Sequence, residues 1–275
     1  MSRTLRCGRH TFDLVRPLVM GIVNVTLDSF SDGGHYFSAS RALDHARRLA
    51  ADGADLIDVG GESTRPGSAP VALADELARV IPLARTLSEE GLAVSVDTRK
   101  PEVMRAAIDA GAAMINDVSA LRADGALETC AASDAAVCLM HMRGDPATMQ
   151  RDPVYADVVA EVRDFLQGRA AAARTAGIGV ERIVIDPGFG FGKTLGHNLA
   201  LLRALPEFVR LGYPVMAGLS RKASIGQLTG RPVDERLPGS LAAALATVAR
   251  GAAIVRVHDV RATVDALKVW MAIDA

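Results

Sequence analysis

The sequence predicts a (β/α)8 TIM barrel folded as a single domain. Three observations point there. Eight short apolar, β-branched runs recur along the chain, stretches of helical period separate them, and a polar residue stands at the C-terminal end of every run. The 275 residues suffice for one such barrel, with a strand-helix core over about 18–274.

The runs come in order. The first, 18–25 (LVMGIVNV), is apolar until Asn24. The second, 54–61 (ADLIDVGG), opens into GESTRPG, and the third, 92–98 (LAVSVDT), ends on Asp97. Next come 112–119 (AAMINDVS), with Asn116 and Asp117, and 135–142 (AAVCLMHM), with His141. The run 182–188 (RIVIDPG) carries Asp186, 213–220 (YPVMAGLS) leads into Ser-Arg-Lys222, and 252–259 (AAIVRVHD) holds Arg256 and His258. Helical patterns lie between, as at 38–53, 100–111 and 240–251, and several close on a glycine before the next run. A doubly wound open sheet also alternates strands and helices, but it places a G-x-G-x-x-G turn after its first strand. Here that position reads NVTLDSFSDGG, so the barrel is preferred.

Composition narrows the function classes. Hydrophobic residues make up 49% and charged residues 23%, with a net charge of −1. That balance offers no basic surface for nucleic acid and no polybasic segment for a membrane. No apolar run approaches the ~18 residues of a membrane span, and MSRTLRCGRH lacks a signal-peptide core. Cys7, Cys130 and Cys138 are scattered without metal-ligand spacing and read as reduced thiols. A cytoplasmic location is expected.

In a barrel of this kind the strand C-termini form the active site. A ring of polar strand ends is costly to bury unpaired, so stability alone does not account for it. Arg65, Lys222, Arg256 and His258 offer positive charge suited to a phosphate or diphosphate. Arg256 and His258 are two apart on one strand, so both face the same way and can grip one anion together. Asp97, Asn116 and Asp186 are short planar groups that fit the edge of a flat, aminated heterocycle. Each has a plainer reading alone: Asn116-Asp117 as a turn or cap, His141 as a packed residue, Ser220-Arg221-Lys222 as a solvated corner. GFGFGKT imitates a phosphate-binding loop, but Pro187 stands where that motif needs its first glycine. It is expected to be a flexible glycine loop, with Asp186 the working group. Joint placement at one barrel end outweighs the separate plain readings.

Taken together, NVTLDSFSDGG, GGESTRPGS, SVDTRK, INDVSA, LMHMRG, DPGFGFGKT, GLSRKASIG and VRVHDV resemble the dihydropteroate synthase family of pterin-binding barrels. The resemblance spans 20–260 and is specific in combination. It implies condensation of 6-hydroxymethyl-7,8-dihydropterin diphosphate with p-aminobenzoate, with Mg2+ as cofactor and a homodimer as the assembly. By the same resemblance Asp97, Asn116, Asp186 and Lys222 bind the pterin. Asn24 helps hold Mg2+ and diphosphate, and Thr64, Arg256 and His258 contact substrate, the last two at the diphosphate. Asp28, Phe30 and Ser31 belong to one covering loop and Thr64, Arg65 and Pro66 to another, with Lys222, Ala223 and Ser224 beside the p-aminobenzoate. Asp97, Lys222, Arg256 and His258 are the expected catalytic set.

Two positions depart from the family pattern. Leu27 replaces a usual proline, and Ala223 replaces a serine that contacts the p-aminobenzoate carboxylate. Ser224, or the N–H groups of a helix beginning after Lys222, are the expected substitutes. A pterin-dependent corrinoid methyltransferase would keep the Asp/Asn/Asp set but has no use for GESTRPG, SRK and RVH. A non-catalytic paralogue would be expected to lose some of these, and only the serine is lost.

Overall fold

The computed structural model describes residues 4–25, 35–63, 70–145 and 148–274. It opens with a hairpin that the sequence reading, which began at residue 18, did not anticipate. Strands β1 (Thr4–Cys7) and β2 (His10–Asp13) pair antiparallel across a two-residue turn. Four residues per strand give too short an alternation to stand out in sequence.

The eight expected strands follow: β3 (Leu18–Asn24), β4 (Leu56–Gly60), β5 (Val94–Asp97), β6 (Met114–Asp117), β7 (Ala136–Met140), β8 (Ile183–Asp186), β9 (Met216–Ala217) and β10 (Ile254–Val257). They run parallel in the order β8-β7-β6-β5-β4-β3-β10-β9. A parallel bridge between Ile185 and Val215, with Ile185 N donating to Pro214 O at 3.0 Å, brings the chain before β9 back to β8 and closes the ring. Each strand is shorter than the run that announced it, because the flanking apolar residues pack in turns. Helices α1 (His35–Ala51), α2 (Leu73–Glu89), α3 (Pro101–Asp109), α4 (Ala126–Ala131), α5 (Val158–Thr175), α6 (Leu195–Arg203), α7 (Leu205–Val209), α8 (Ala223–Thr229), α9 (Leu237–Val248) and α10 (Val260–Asp274) occupy the connections. Local chemistry sets their ends. Asp157 caps α5 by accepting from Val159 N at 2.9 Å and Ala160 N at 3.0 Å. Gly53 follows α1 at φ +100°, a left-handed turn that a side chain resists.

Two apolar zones result. Between strands and helices, Val59, Val96, Ile115, Leu139 and Ile185 pack against helical residues such as Val80, Val103 and Leu166. Inside the barrel, Leu18, Met20, Leu56, Met114, Cys138 and Ile254 meet Leu5 and Cys7 of the hairpin, both fully buried. The hairpin therefore plugs the end of the barrel where the strands begin. Two residues further along, the same inward faces turn polar: Leu56 gives way to Asp58, and Met114 to Asn116. This change of character places the site.

Candidate active site

Asp58 (0% exposed), Asp97, Asn116 and Asp186 form the polar level of the barrel interior, all buried. Arg256 joins them from β10. Its Nε donates to Asp58 Oδ2 at 2.6 Å, and a terminal nitrogen donates to Asp97 Oδ2 at 2.9 Å. Asn116 Nδ2 donates to the same Asp58 oxygen at 3.2 Å. Burial raises the Asp97 carboxyl well above its ordinary range; Arg256 draws it down and the Asp58 charge pushes it up again. The guanidinium expected to face an anion thus lies across two carboxylates.

Lys222 enters from the turn before α8. Its ammonium donates to Phe189 O and lies 4.6 Å from the centre of the Phe191 ring. Burial lowers it to about 8, against the pull of the Asp186 and Asp97 carboxylates. Asp186 Oδ1 accepts from Gly188 N at 2.7 Å, so the carboxylate is held at the strand end by its own turn. His258, just past β10, shares a 3.0 Å hydrogen bond between Nδ1 and Ser220 Oγ, and its backbone N donates to that oxygen at 3.2 Å. Asn24 ends β3, half-buried beside Gly60, where an added Cβ would stand 3.9 Å from Asn24 Oδ1 and 3.5 Å from Asp97 Cβ. The missing side chain at Gly60 leaves both groups open to the mouth. Ala223 is exposed as the first residue of α8, whereas Ser224 is buried. Asp28, Phe30, Ser31, Thr64, Arg65 and Pro66, with Leu27, lie outside the described residues.

The plainer readings separate cleanly. Asp117 is structural: Oδ1 accepts from Ser119 N and Oδ2 from Leu121 N, both at 2.7 Å, holding a turn where Ala120 and Leu121 have φ of 54°. His141 is packed and neutral, its pKa lowered to about 3 by burial and by Lys193. The glycine loop 188–192 is not the flexible segment expected. Buried Lys193 reaches back through it, its Nζ bonding Gly188 O at 2.9 Å, Phe191 O at 3.0 Å, His141 O at 3.2 Å and His141 Nδ1 at 3.0 Å. Asn198 Oδ1 accepts from Gly190 N at 2.8 Å, and Tyr155 donates to Gly192 O at 2.8 Å. An ammonium needs acceptors when buried, and the loop's carbonyls supply them.

What gathers at this mouth is a set of buried carboxylate and amide groups, with one lysine beside Phe189 and Phe191. A family model described as pterin binding enzyme matches residues 20–258. The chain belongs to the pterin-binding enzyme family. The dihydropteroate synthase of Neisseria meningitidis serogroup B is 52% identical over 98% of this chain and 96% of its own. Among solved structures, Xanthomonas albilineans dihydropteroate synthase with 4-aminobenzoic acid superposes with a TM-score of 0.94 at 56% identity, covering 100% of this chain and 99% of that one. The same enzyme in complex with 7,8-dihydropteroate gives 0.91 at 53% identity, over 99% of each chain.

In this pterin-binding enzyme two site residues had escaped sequence reading. Asp58 sits inside a run that reads as an ordinary buried strand, and its acid was the available signal. Lys193 lies in the GFGFGKT segment, whose Pro187 rules out a phosphate loop and leaves the lysine without a role legible in sequence. Glu62 also emerges. It accepts from Arg99 Nε at 3.1 Å, Lys100 Nζ at 2.5 Å and Val71 N at 3.2 Å, and so ties together the two flanks of the 64–69 segment.

Proposed function

We propose that this chain is a transferase that condenses 6-hydroxymethyl-7,8-dihydropterin diphosphate with p-aminobenzoate, releasing 7,8-dihydropteroate and diphosphate. The observation that carries the reading is the ring of Asp97, Asn116, Asp186 and Lys222 around one barrel mouth, in a chain so similar to a synthase solved with 7,8-dihydropteroate. Two carboxylates and an amide accept and donate along an aminopyrimidinone edge, and a lysine answers its carbonyl and ring nitrogen.

The bond that breaks joins a methylene carbon to the diphosphate oxygen, and the electron-rich dihydropterin stabilises the positive charge left behind. No protein nucleophile is required. On this reading the negative charge of Asp97 and Asp186 favours a cationic ring, and Arg256 and His258 are the groups that meet the departing anion. The arylamine attacks as a neutral base and sheds its proton afterwards. Segments 28–34 and 63–67 are read as covers that exclude water, which would otherwise capture the cation.

Mg2+ suits this donor set. Among the described residues no group of three or more His, Cys, Asp or Glu side chains could hold a metal, and this ion is commonly bound through few protein ligands with substrate phosphates. Asn24, with its amide oxygen at the mouth, is the residue that would hold it. When bound, Mg2+ neutralises charge on the leaving diphosphate.

Among the described residues no helix is long and apolar enough to cross a membrane. The three buried free thiols suit a reducing, cytoplasmic setting. A homodimer fits the exposed apolar residues around the last three helices: Leu228 of α8, Leu237 of α9, and Val269 and Ile273 of α10.

The deciding experiment is diphosphate release from the dihydropterin substrate, with and without p-aminobenzoate. Release that requires the amine is expected; release without it, or none, overturns the reading. Two further outcomes follow. Installing the missing hydroxyl with Ala223→Ser is expected to lower the KM for p-aminobenzoate by about tenfold or more, since a hydrogen bond to a charged group contributes roughly 1.5–3 kcal/mol. An unchanged KM overturns the assignment of this exposed position to the amine. The pH profile of kcat/KM for the pterin should be narrow. Asp97 must be ionised to accept an N–H, so activity rises as pH passes its raised pKa. Lys222 must stay protonated, so activity falls above about pH 8. Steady-state rates across the pH range measure both limbs.

A further inference from the structure

Asp58 has no place in the set of groups that face the ring, yet two of the site's groups, Arg256 and Asn116, converge on it. It is fully buried on β4, one strand from Asp97 and two from Asn116. Its Oδ2 takes both the Arg256 Nε at 2.6 Å and the Asn116 Nδ2 at 3.2 Å, and Oδ1 is buried without a hydrogen-bond partner. Arg256 spends its second bond on Asp97, which unlike Asp58 borders the mouth, its side chain 10% exposed. The two carboxylates thus share one guanidinium at different depths.

We propose that Asp58 is a positioning residue, the fixed counter-ion that keeps Arg256 paired when Asp97 turns to the N–H of a bound pterin. The argument is one of substitution. A ring N–H can take the Asp97 carboxylate only by competing with Arg256 for it. A half-buried guanidinium stripped of its partners is still costly, so without Asp58 the pterin would have to leave Arg256 uncompensated. With Asp58 in place, Arg256 keeps its 2.6 Å bond throughout. Asp58 also takes one amide hydrogen of Asn116 and fixes the amide plane, leaving its oxygen and other hydrogen for the ring edge.

This inference rests on the pterin reading of the site but not on turnover, and its test uses binding. Asp58→Asn keeps one oxygen for Arg256 and Asn116, removes the charge, and replaces the unpartnered Oδ1 by an amide nitrogen. With 6-hydroxymethylpterin as the probe, calorimetry is expected to show at least a tenfold weaker Kd for the variant than for the unaltered protein. The KM for p-aminobenzoate should stay within threefold, because the amine does not draw on Asp97. An unchanged pterin Kd overturns the proposal, and so does an equal loss for both substrates, which is the signature of a general structural defect. Should the single variant fail to fold, Asp58→Asn combined with Arg256→Gln leaves neither charge buried. Compared with Arg256→Gln alone, the pair should bind the pterin within threefold. A further tenfold loss would show Asp58 acting independently of Arg256 and overturn the proposal. If the unaltered protein binds the pterin without making dihydropteroate, the synthase reading fails and the Asp58 comparison remains decisive.

Discussion

Lys222→Ala is expected to reduce dihydropteroate formation by about a hundredfold to a thousandfold, the range seen when one preorganised charged donor is removed from an active site. The ammonium bonds Phe189 O, lies against the Phe191 ring and exerts the largest downward pull on the Asp186 carboxyl. On the proposed reading its loss removes a donor to the ring, and it leaves a buried carboxylate without its main cation. Burial already holds Asp186 above its ordinary value, so the variant carboxyl will protonate more readily and accept ring N–H groups less well. The amine-dependent release of diphosphate measures the effect, and thermal melting shows whether the fold persists. Turnover within tenfold of the unaltered protein, at an unchanged Tm, would remove Lys222 from the catalytic set.

Gly188→Ala should be nearly as damaging by a different route. Gly188 has φ +69°, and a Cβ there would stand 1.9 Å from the carbonyl oxygen of His141 and 3.0 Å from its carbon. Both are backbone atoms, so no side chain can swing away, and the oxygen is already engaged by Lys193 at 3.2 Å. We expect a loss of roughly 3 kcal/mol or more in urea unfolding, well above the ~1 kcal/mol that a left-handed backbone alone costs an alanine. Gly91→Ala provides the comparison, since φ is +89° there and nothing lies within 4 Å of an added Cβ. Equal losses at the two positions would mean that strain, not the clash, decides. Because Gly188 N also holds Asp186 Oδ1 at 2.7 Å, pterin binding should weaken even where the variant folds.

The barrel was legible because its strands are buried on both faces and so read as continuous apolar runs, each broken by a polar residue at its end. Residues at those ends, such as Asp97 and Asp186, could be assigned from that pattern. Asp58 could not, because its meaning depends on Arg256, 198 residues away in the chain and only one intervening strand away in the ring. Sequence places a residue on a strand but does not say which distant side chain the closure of the ring brings beside it. The same holds for Lys193. In sequence it follows a glycine loop like a phosphate-binding lysine, while in the fold it turns inward and braces that loop. The expectation that Arg256 and His258 act as one grip was drawn from their spacing alone. In the structure they look to different partners, carboxylates for Arg256 and the Ser220 hydroxyl for His258.

The hairpin that fills the lower end of the barrel has a consequence for traffic through the enzyme. Among the described residues, Leu5 and Cys7 are fully buried with Leu18, Met20 and Met114, so the lower end is filled and the level of Asp58 and Asn116 is approached from the strand C-termini, its doorway. Whatever occupies the level of Asp58 and Asn116 must enter first, and whatever settles over it must leave before it can. Arrival and departure are therefore ordered by depth, and a molecule lodged in the doorway traps the one beneath.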